Sequence, residues 1–308
     1  MTKYEDDALK AVKKYMRRYF KYAFNMQAAE FEEEDQYKAV ILKHIHSVEK
    51  GLSAQNYRYG AGKKAVQQMI GILKNYSEKY NIEGIEYRTA LCVLDLYVKK
   101  NKNGGDIEEI EAELKDLPGV ANELAGTENR IYSEAGKRFD EIVRERKSVR
   151  HFSKVPVELD RVYKAIDLAR NTPSACNRQG WKVRIIQNEL IKNEVLINQN
   201  GNKGFGNEID KLLLITYDLR YINIDREWHQ AFIDGGMYAM SLLYSLQYMN
   251  IASVTLSASL NTEQEDNVRN LLNLNEAEVL IVYIGIGNYA EKYQVPLANK
   301  KPTEIEVI

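Results

Sequence analysis

The chain has 308 residues, with 43 Lys and Arg against 44 Asp and Glu, a formal net charge of −1. That balance excludes a broad nucleic-acid-binding surface, which needs a basic excess. A hydrophobic fraction of 44% excludes wholesale disorder, and two cysteines, Cys92 and Cys176, cannot build a disulfide framework or a Cys-rich metal site. No run reaches the roughly 18–20 apolar residues of a membrane span, and the opening MTKYEDDALKAVKK lacks the apolar core of a signal peptide. The expected location is therefore the cytoplasm.

Proline punctuates the chain unevenly. The first is Pro118, followed by Pro156, Pro173, Pro296 and Pro302. A long Pro-free opening with helical periodicity predicts an all-helical unit. Residues 7–25 set Leu9, Val12, Met16, Tyr19, Phe20 and Ala23 at helical spacing among lysines and arginines. Such a basic amphipathic helix either packs its stripe on neighbours or touches an anionic membrane surface. Further helices are expected over 36–50 with Gly51 as its stop, over 61–80 and over 85–100. Asp106 with Glu109 suggests a capping box for a short helix. The stretch 117–129, with Pro118, Gly119 and Gly126, reads as a linker, and another helix is expected from about 128 into the 140s. The division expected is thus 1–125, helical, and 126–308.

After residue 150 the pattern turns mixed. The runs 182–187, 211–217, 251–256 and 278–286 are β-branched and read as strands. Helical patterns lie between them at 158–170, 189–198, 226–250 and 262–273. The 226–250 stretch is apolar nearly all round, which predicts burial in a core or a subunit interface. The fold class expected is α+β, a central sheet flanked by helices and preceded by an all-α region.

Two motif-like stretches are set aside. Gly201-Asn202-Lys203-Gly204-Phe205-Gly206 lacks the spacing of a dinucleotide loop and precedes a strand instead of following one. His44, His46 and Glu49 lack the second Glu-x-x-His pair that a helical di-iron site needs. No metal site is expected.

The chemistry gathers in the second half. Arg146, Ser148 and Arg150 alternate in RKSVRHF, and alternate side chains of an extended segment point the same way. Two guanidinium groups and a hydroxyl converging on one point suit a phosphate. Downstream, TPSACNRQGW (172–181) is a loop of amide and hydroxyl donors feeding a strand, and Asn299-Lys300-Lys301-Pro302 adds basic charge after the last strand.

In this order the three segments resemble the nitroreductase family of FMN-dependent oxidoreductases. Arg146, Ser148, Arg150 and Phe152 fit its R-x-S-x-R-x-F start. Pro173, Ser174, Asn177, Gln179 and Trp181 fit its P-S-x-x-N-x-Q-P-W loop, and Gly287 with Lys300 and Pro302 fits its closing turn and R-x-P tail. The resemblance covers about residues 140–308 and implies a nitroreductase-like sheet, FMN as cofactor, NAD(P)H as electron donor and a homodimer. It further implies that Arg146, Ser148 and Arg150 hold the phosphate and ribityl oxygens, with Lys147 and Lys300 adding charge. Ser174 and Asn177 would approach the flavin from the partner subunit, and Ser257 and Ala258 would present backbone to its reactive nitrogen. No side chain is named as catalytic, because the cofactor carries the chemistry. Three departures stand out: Gly180 replaces the usual Pro, Lys300 the usual Arg, and Ser257-Ala258 a commonly Gly-rich pair. Separately, His46-Ser47-Val48-Glu49-Lys50-Gly51-Leu52-Ser53 resembles a segment in the helical extensions of nitroreductase-like proteins of bacterial surface-polysaccharide clusters. The function expected is an NAD(P)H oxidoreductase acting on a nitro, quinone or other conjugated small molecule. The alternative is a non-enzymatic dimeric interaction module in surface-polysaccharide assembly.

Overall fold

The run Leu212–Ile215 is apolar at every position, the mark of a strand covered on both faces. In the computed structural model it is the centre of β3 (Lys211–Asp218), all of whose residues are buried. The structure describes residues 34–104, 106–121, 125–131, 138–222 and 229–308, with positions 6, 7, 9, 10, 12, 13, 16 and 227. The expected basic helix at 7–25 lies largely outside the described residues. Among the described residues no helix is long and apolar enough to cross a membrane.

The chain divides into two compact units. The first comprises Met1–Val48, Gly62–Ala125 and Lys301–Ile308, and the second Glu49–Ala61 with Gly126–Lys300. Helix α1 (Glu34–Leu52) therefore gives its last turn to the second unit.

The first unit is helical: most of α1, then α2 (Lys63–Lys79), α3 (Ile85–Asn101) and α4 (Glu108–Lys115). Ile41 and Ile45 of α1, Val66, Met69, Ile70 and Leu73 of α2, and Leu94 of α3 are buried at the i, i+3, i+4 spacing of one face. Tyr76 and Tyr87 stack with centroids 5.7 Å apart, and the Tyr76 hydroxyl donates to Glu34 Oε1 at 3.0 Å. Two expectations are corrected here. Helix α1 runs past Gly51 to Leu52, because Gly51 stays in helical conformation. No side chain caps α4; Asp106 instead accepts from Lys63 Nζ at 3.0 Å, a partner on α2 that outbids the local amides.

The second unit is built on an antiparallel sheet ordered β2-β3-β5-β4, with β2 at Trp181–Ile186, β4 at Ala252–Ser257 and β5 at Glu278–Gly287. The period-two geometry of β3 sends Leu212 and Leu214 into one core and Leu213 and Ile215 into another. The first core is closed by Val195 and Leu196 of α7 (Glu189–Asn198) and Val268 of α9 (Thr262–Leu271). The second is closed by Val162 and Ala165 of α6 (Leu159–Ala169) and Tyr238, Leu242 and Leu246 of α8 (Gln230–Tyr248). The mixture of helices and sheet, with helices first, is the α+β architecture expected.

Two features differ from the expectation. Residues 127–131 are a strand, β1 (Thr127–Ile131), paired antiparallel with β6 (Lys292–Pro296), and among the described residues there the helix is Phe139–Glu145 (α5). Glu128 and Arg130 sit on one face of β1, where Arg130 pairs with Glu128 at 3.2 Å and with Glu145 at 2.9 Å. Helix α8 is shorter than 226–250 and is not covered all round. Ala231, Gly235, Tyr238, Leu242 and Leu246 are buried, whereas Phe232, Ile233, Met237 and Tyr248 are exposed.

Candidate functional site

The segment after α5 leaves the helix extended, with Arg146 at φ −60° and ψ 117°. Two anchors hold it. The Val149 N–H donates to the Ser253 carbonyl at 2.9 Å, which makes Ser148 a parallel bridge partner of Ser253 on β4. Phe152 lies over Gly287, where a Cβ would meet its ring at 2.6 Å, so only glycine permits this contact. Val149 and Phe152 are buried in the first core of the second unit. The hydrophobic effect thus fixes these two residues and leaves Arg146, Lys147, Ser148 and Arg150 half-buried around them.

Arg150 is the most unusual group. Its guanidinium lies 5.8 Å from the Phe205 ring centroid, and Nη1 donates to the Ser148 carbonyl at 3.3 Å. Its Nε is buried without a hydrogen-bond partner. Burial pulls its pKa down to about 10. No carboxylate among the described residues is within ion-pair distance of it. A buried cation without a counter-ion is costly, which is the condition an anionic ligand relieves.

Lys147 is lowered by its own burial and then by the charges of Arg130, Arg146 and Lys300, against one opposing carboxylate, Glu128. Arg146, Lys147 and Lys300, far apart in sequence, therefore share one electrostatic neighbourhood. Lys300 is exposed and follows Asn299, whose Nδ2 is a second buried donor without a partner.

Loop 174–179 forms separately. The Ser174 hydroxyl accepts from the Gln179 N–H at 3.0 Å, and the Ala175 N–H donates to both Asp234 carboxylate oxygens at 3.3–3.4 Å. Asp234 is buried on α8 and also receives the Tyr217 hydroxyl at 3.2 Å and Gln230 Nε2 at 2.6 Å. Cys176 takes a left-handed φ of 51° and is an exposed free thiol. The Asn177 backbone is part of a single 3-10 turn; its side chain lies outside the described residues. The hydrogen bonds of Ser174 and Ala175 stay within this loop and α8, so the single chain does not join them to Arg146 and Arg150.

Ser257 and Ala258 stand where β4 ends, at the opposite end of that strand from Ser253 and hence roughly 13 Å from it at a rise of about 3.3 Å per residue. The Ser257 carbonyl accepts from Gln199 Nε2 at 2.9 Å. The same Gln199 takes the Gly201 N–H at 2.7 Å and Asn202 Nδ2 at 3.1 Å. The glycine-rich stretch 201–206 is thus a brace for the end of β4.

Sequence reasoning missed two groups. Asp234 passed as an ordinary helix residue, and only its setting between apolar neighbours in AFIDGGM hinted at burial. Glu49, which the sequence offers as a rejected metal ligand and as part of the His46–Ser53 resemblance, is 1% exposed, and its Oε1 accepts the Gly126 N–H at 2.9 Å. The departure at Gly180 also gains a cause: a Cβ there would meet Cε1 and Cζ of Tyr217 at 2.6 Å. Among the described residues no group of three His, Cys, Asp or Glu could hold a metal ion.

Residues 143–288 match the model of the nitroreductase family. No curated protein sequence matches the chain significantly. Among solved structures, a candidate NADH dehydrogenase/NAD(P)H nitroreductase from Parabacteroides distasonis is 21% identical; the match covers 54% of this chain and 93% of that one, with a TM-score of 0.47. A candidate NAD(P)H:FMN oxidoreductase from Staphylococcus epidermidis is 18% identical over 57% and 95%, with a TM-score of 0.47. A nitroreductase family protein from Clostridium difficile is 21% identical over 50% and 85%, with a TM-score of 0.43. The Arg146–Phe152 segment, the loop before β2 and the four-stranded sheet thus all lie inside the stretch, residues 143–288, that is similar to the nitroreductase family.

Proposed function

We propose that the protein is an FMN-dependent NAD(P)H oxidoreductase acting on a nitro, quinone or other conjugated small molecule. The observation that carries this reading is Arg150, half-buried with a buried, unpartnered Nε, beside half-buried Arg146, Lys147 and Ser148. A phosphate monoester matches that donor set in charge and geometry.

Arg146, Ser148 and Arg150 hold the phosphate and the neighbouring ribityl oxygens, and Lys147 and Lys300 add charge. Ser174 and Asn177 reach the flavin of the partner subunit, and Ser257 and Ala258 present backbone beside the ring. When bound, FMN supplies hydride acceptance from NAD(P)H and delivery of two electrons to the second substrate. The residues of the chain bind and orient; none is required to transfer a proton.

The homodimer follows from α8. Ile233, Met237, Tyr244 and Tyr248 recur at the spacing of one helix face, and Ile233, Met237 and Tyr248 are exposed. A second copy covers that seam and brings its own 174–179 loop to the site. Neither Cys92 nor Cys176 is in a disulfide, which suits a cytoplasmic location.

The test is the visible spectrum of the purified or FMN-reconstituted protein, before and after anaerobic NAD(P)H. Bleaching of the flavin bands supports the reading. Bound flavin that no nicotinamide reduces would favour the non-enzymatic alternative in surface-polysaccharide assembly, and no saturable FMN binding would overturn the cofactor assignment.

A further inference from the structure

The last turn of α1 belongs to the second unit, and its side chains explain why. Glu49 is buried and accepts the Gly126 N–H, while the Gly126 carbonyl accepts the Leu297 N–H at 2.8 Å. The Ala298 amide also favours the charged form of the Glu49 carboxylate, and Ala298 has a left-handed φ of 48°. Glu49 therefore fastens the loop that carries Asn299 and Lys300. Burial raises its pKa, and the two amides and the charge of Lys300 oppose that rise.

Lys50, the next residue, is half-buried, and its charge faces that of Arg150. A lysine at a helix C-terminus ordinarily extends into water, where it meets the helix dipole at no desolvation cost. Lys50 is instead half-buried with its charge facing a half-buried guanidinium of the same sign, and no carboxylate among the described residues forms an ion pair with either. Arg150 Nε and Asn299 Nδ2 are both buried donors without partners. Like charges facing each other beside an orphan donor describe an anion site.

We propose that Glu49 and Lys50 complete the cofactor phosphate site from outside the family-matched stretch, Lys50 as a further cation beside Arg150 and Glu49 as the clamp that places Asn299 and Lys300. The proposal rests on the FMN reading above. It makes the end of α1, which lies in the second unit, part of the cofactor pocket.

The experiment compares FMN with riboflavin, which lacks the phosphate, by fluorescence quenching on the full-length protein. The wild type should bind FMN more tightly than riboflavin. Lys50→Met should weaken FMN about 10-fold or more, the effect of losing one charge-assisted contact, and leave riboflavin within twofold. Lys50→Arg should restore most of the FMN affinity, and Glu49→Gln should weaken FMN selectively as well. If Lys50→Met binds FMN as the wild type does, or loses both flavins in parallel, the proposal is overturned while the cofactor reading stands. A wild type that binds neither flavin overturns both.

Discussion

Substituting Gly180 by alanine adds a single methyl group where the fold leaves no room for it. The new carbon would lie 2.6 Å from Cε1 and Cζ of Tyr217 and 3.0 Å from its hydroxyl, against an ordinary contact of about 3.5–4.0 Å. The ring cannot retreat. Tyr217 is fully buried on β3, a strand paired on both edges, and its hydroxyl is tied to Asp234. The Gly180 carbonyl also accepts the Asp218 N–H at 2.8 Å, so the backbone is held from the other side. Overpacking of this kind costs about 1–3 kcal/mol. At about 2–4 °C per kcal/mol for a unit of this size, the melting midpoint should fall by roughly 2–12 °C. Differential scanning calorimetry of Gly180→Ala, Tyr217→Leu and the double variant provides the measurement. Removing the ring should relieve the clash, so the double variant should be more stable than the two single losses predict, by about 1 kcal/mol or more. A Gly180→Ala protein that melts within a degree of the wild type, or strictly additive losses, would show that the ring does not exclude a side chain here. The same contact accounts for the missing proline, whose ring would bring the same carbon against Tyr217.

Arg150→Met should raise the FMN dissociation constant about 10-fold or more in a fluorescence titration, yet raise the melting temperature of the flavin-free protein, since it removes a partly buried charge that has no counter-ion and an unpartnered Nε. Glu278 gives a pH dependence. Burial would raise its pKa, but hydrogen bonds from Arg184 at 2.7 and 2.9 Å, Thr216 at 2.6 Å and Lys182 at 3.3 Å hold it at about 2, against 4.5 for a free glutamate. A depressed carboxylate contributes fully above its unfolded pKa, so about 3 kcal/mol should be present at neutral pH and lost progressively below pH 4.5. Urea unfolding at pH 6 and pH 3 should show the loss in the wild type and a smaller one in Arg184→Gln. Met237→Glu, on the exposed seam of α8, should convert a dimeric mass in light scattering to a monomeric one without lowering the melting temperature of the monomer.

Strong periodicity was the readable part of this chain. The apolar runs of β3 and β5 and the i, i+3, i+4 stripes of α2 and α7 fell within one to three residues of their expected limits, because burial on one or two faces leaves a repeating mark. β1 and β6 left no such mark. Each is short, half-exposed and stabilised by a partner some 165 residues away, and Glu128-x-Arg130 reads equally well as helix or strand. The phosphate-binding pattern at Arg146–Phe152 was legible because its side chains alternate along an extended segment. Glu49 and Asp234 were not legible, since a buried carboxylate is defined by the amides that reach it from elsewhere, here Gly126 and Ala175. Asx-type capping logic failed at Asp106 for a related reason: a lysine on a neighbouring helix competes with the local backbone.

Asp234 has a consequence for how the molecule transmits force. On the inner side of α8 it grips the Ala175 amide, the Tyr217 hydroxyl and Gln230 together; on the outer side, one residue earlier, Ile233 faces outward. Helix, strand and loop are thereby bolted at a single carboxylate. A push on the outside of the first turn of α8 arrives at loop 174–179 through one Cα, with no compliant linker between to absorb it. Any contact that shifts this turn must therefore drag the loop along, and a loop rearrangement must in turn strain whatever is seated against Ile233.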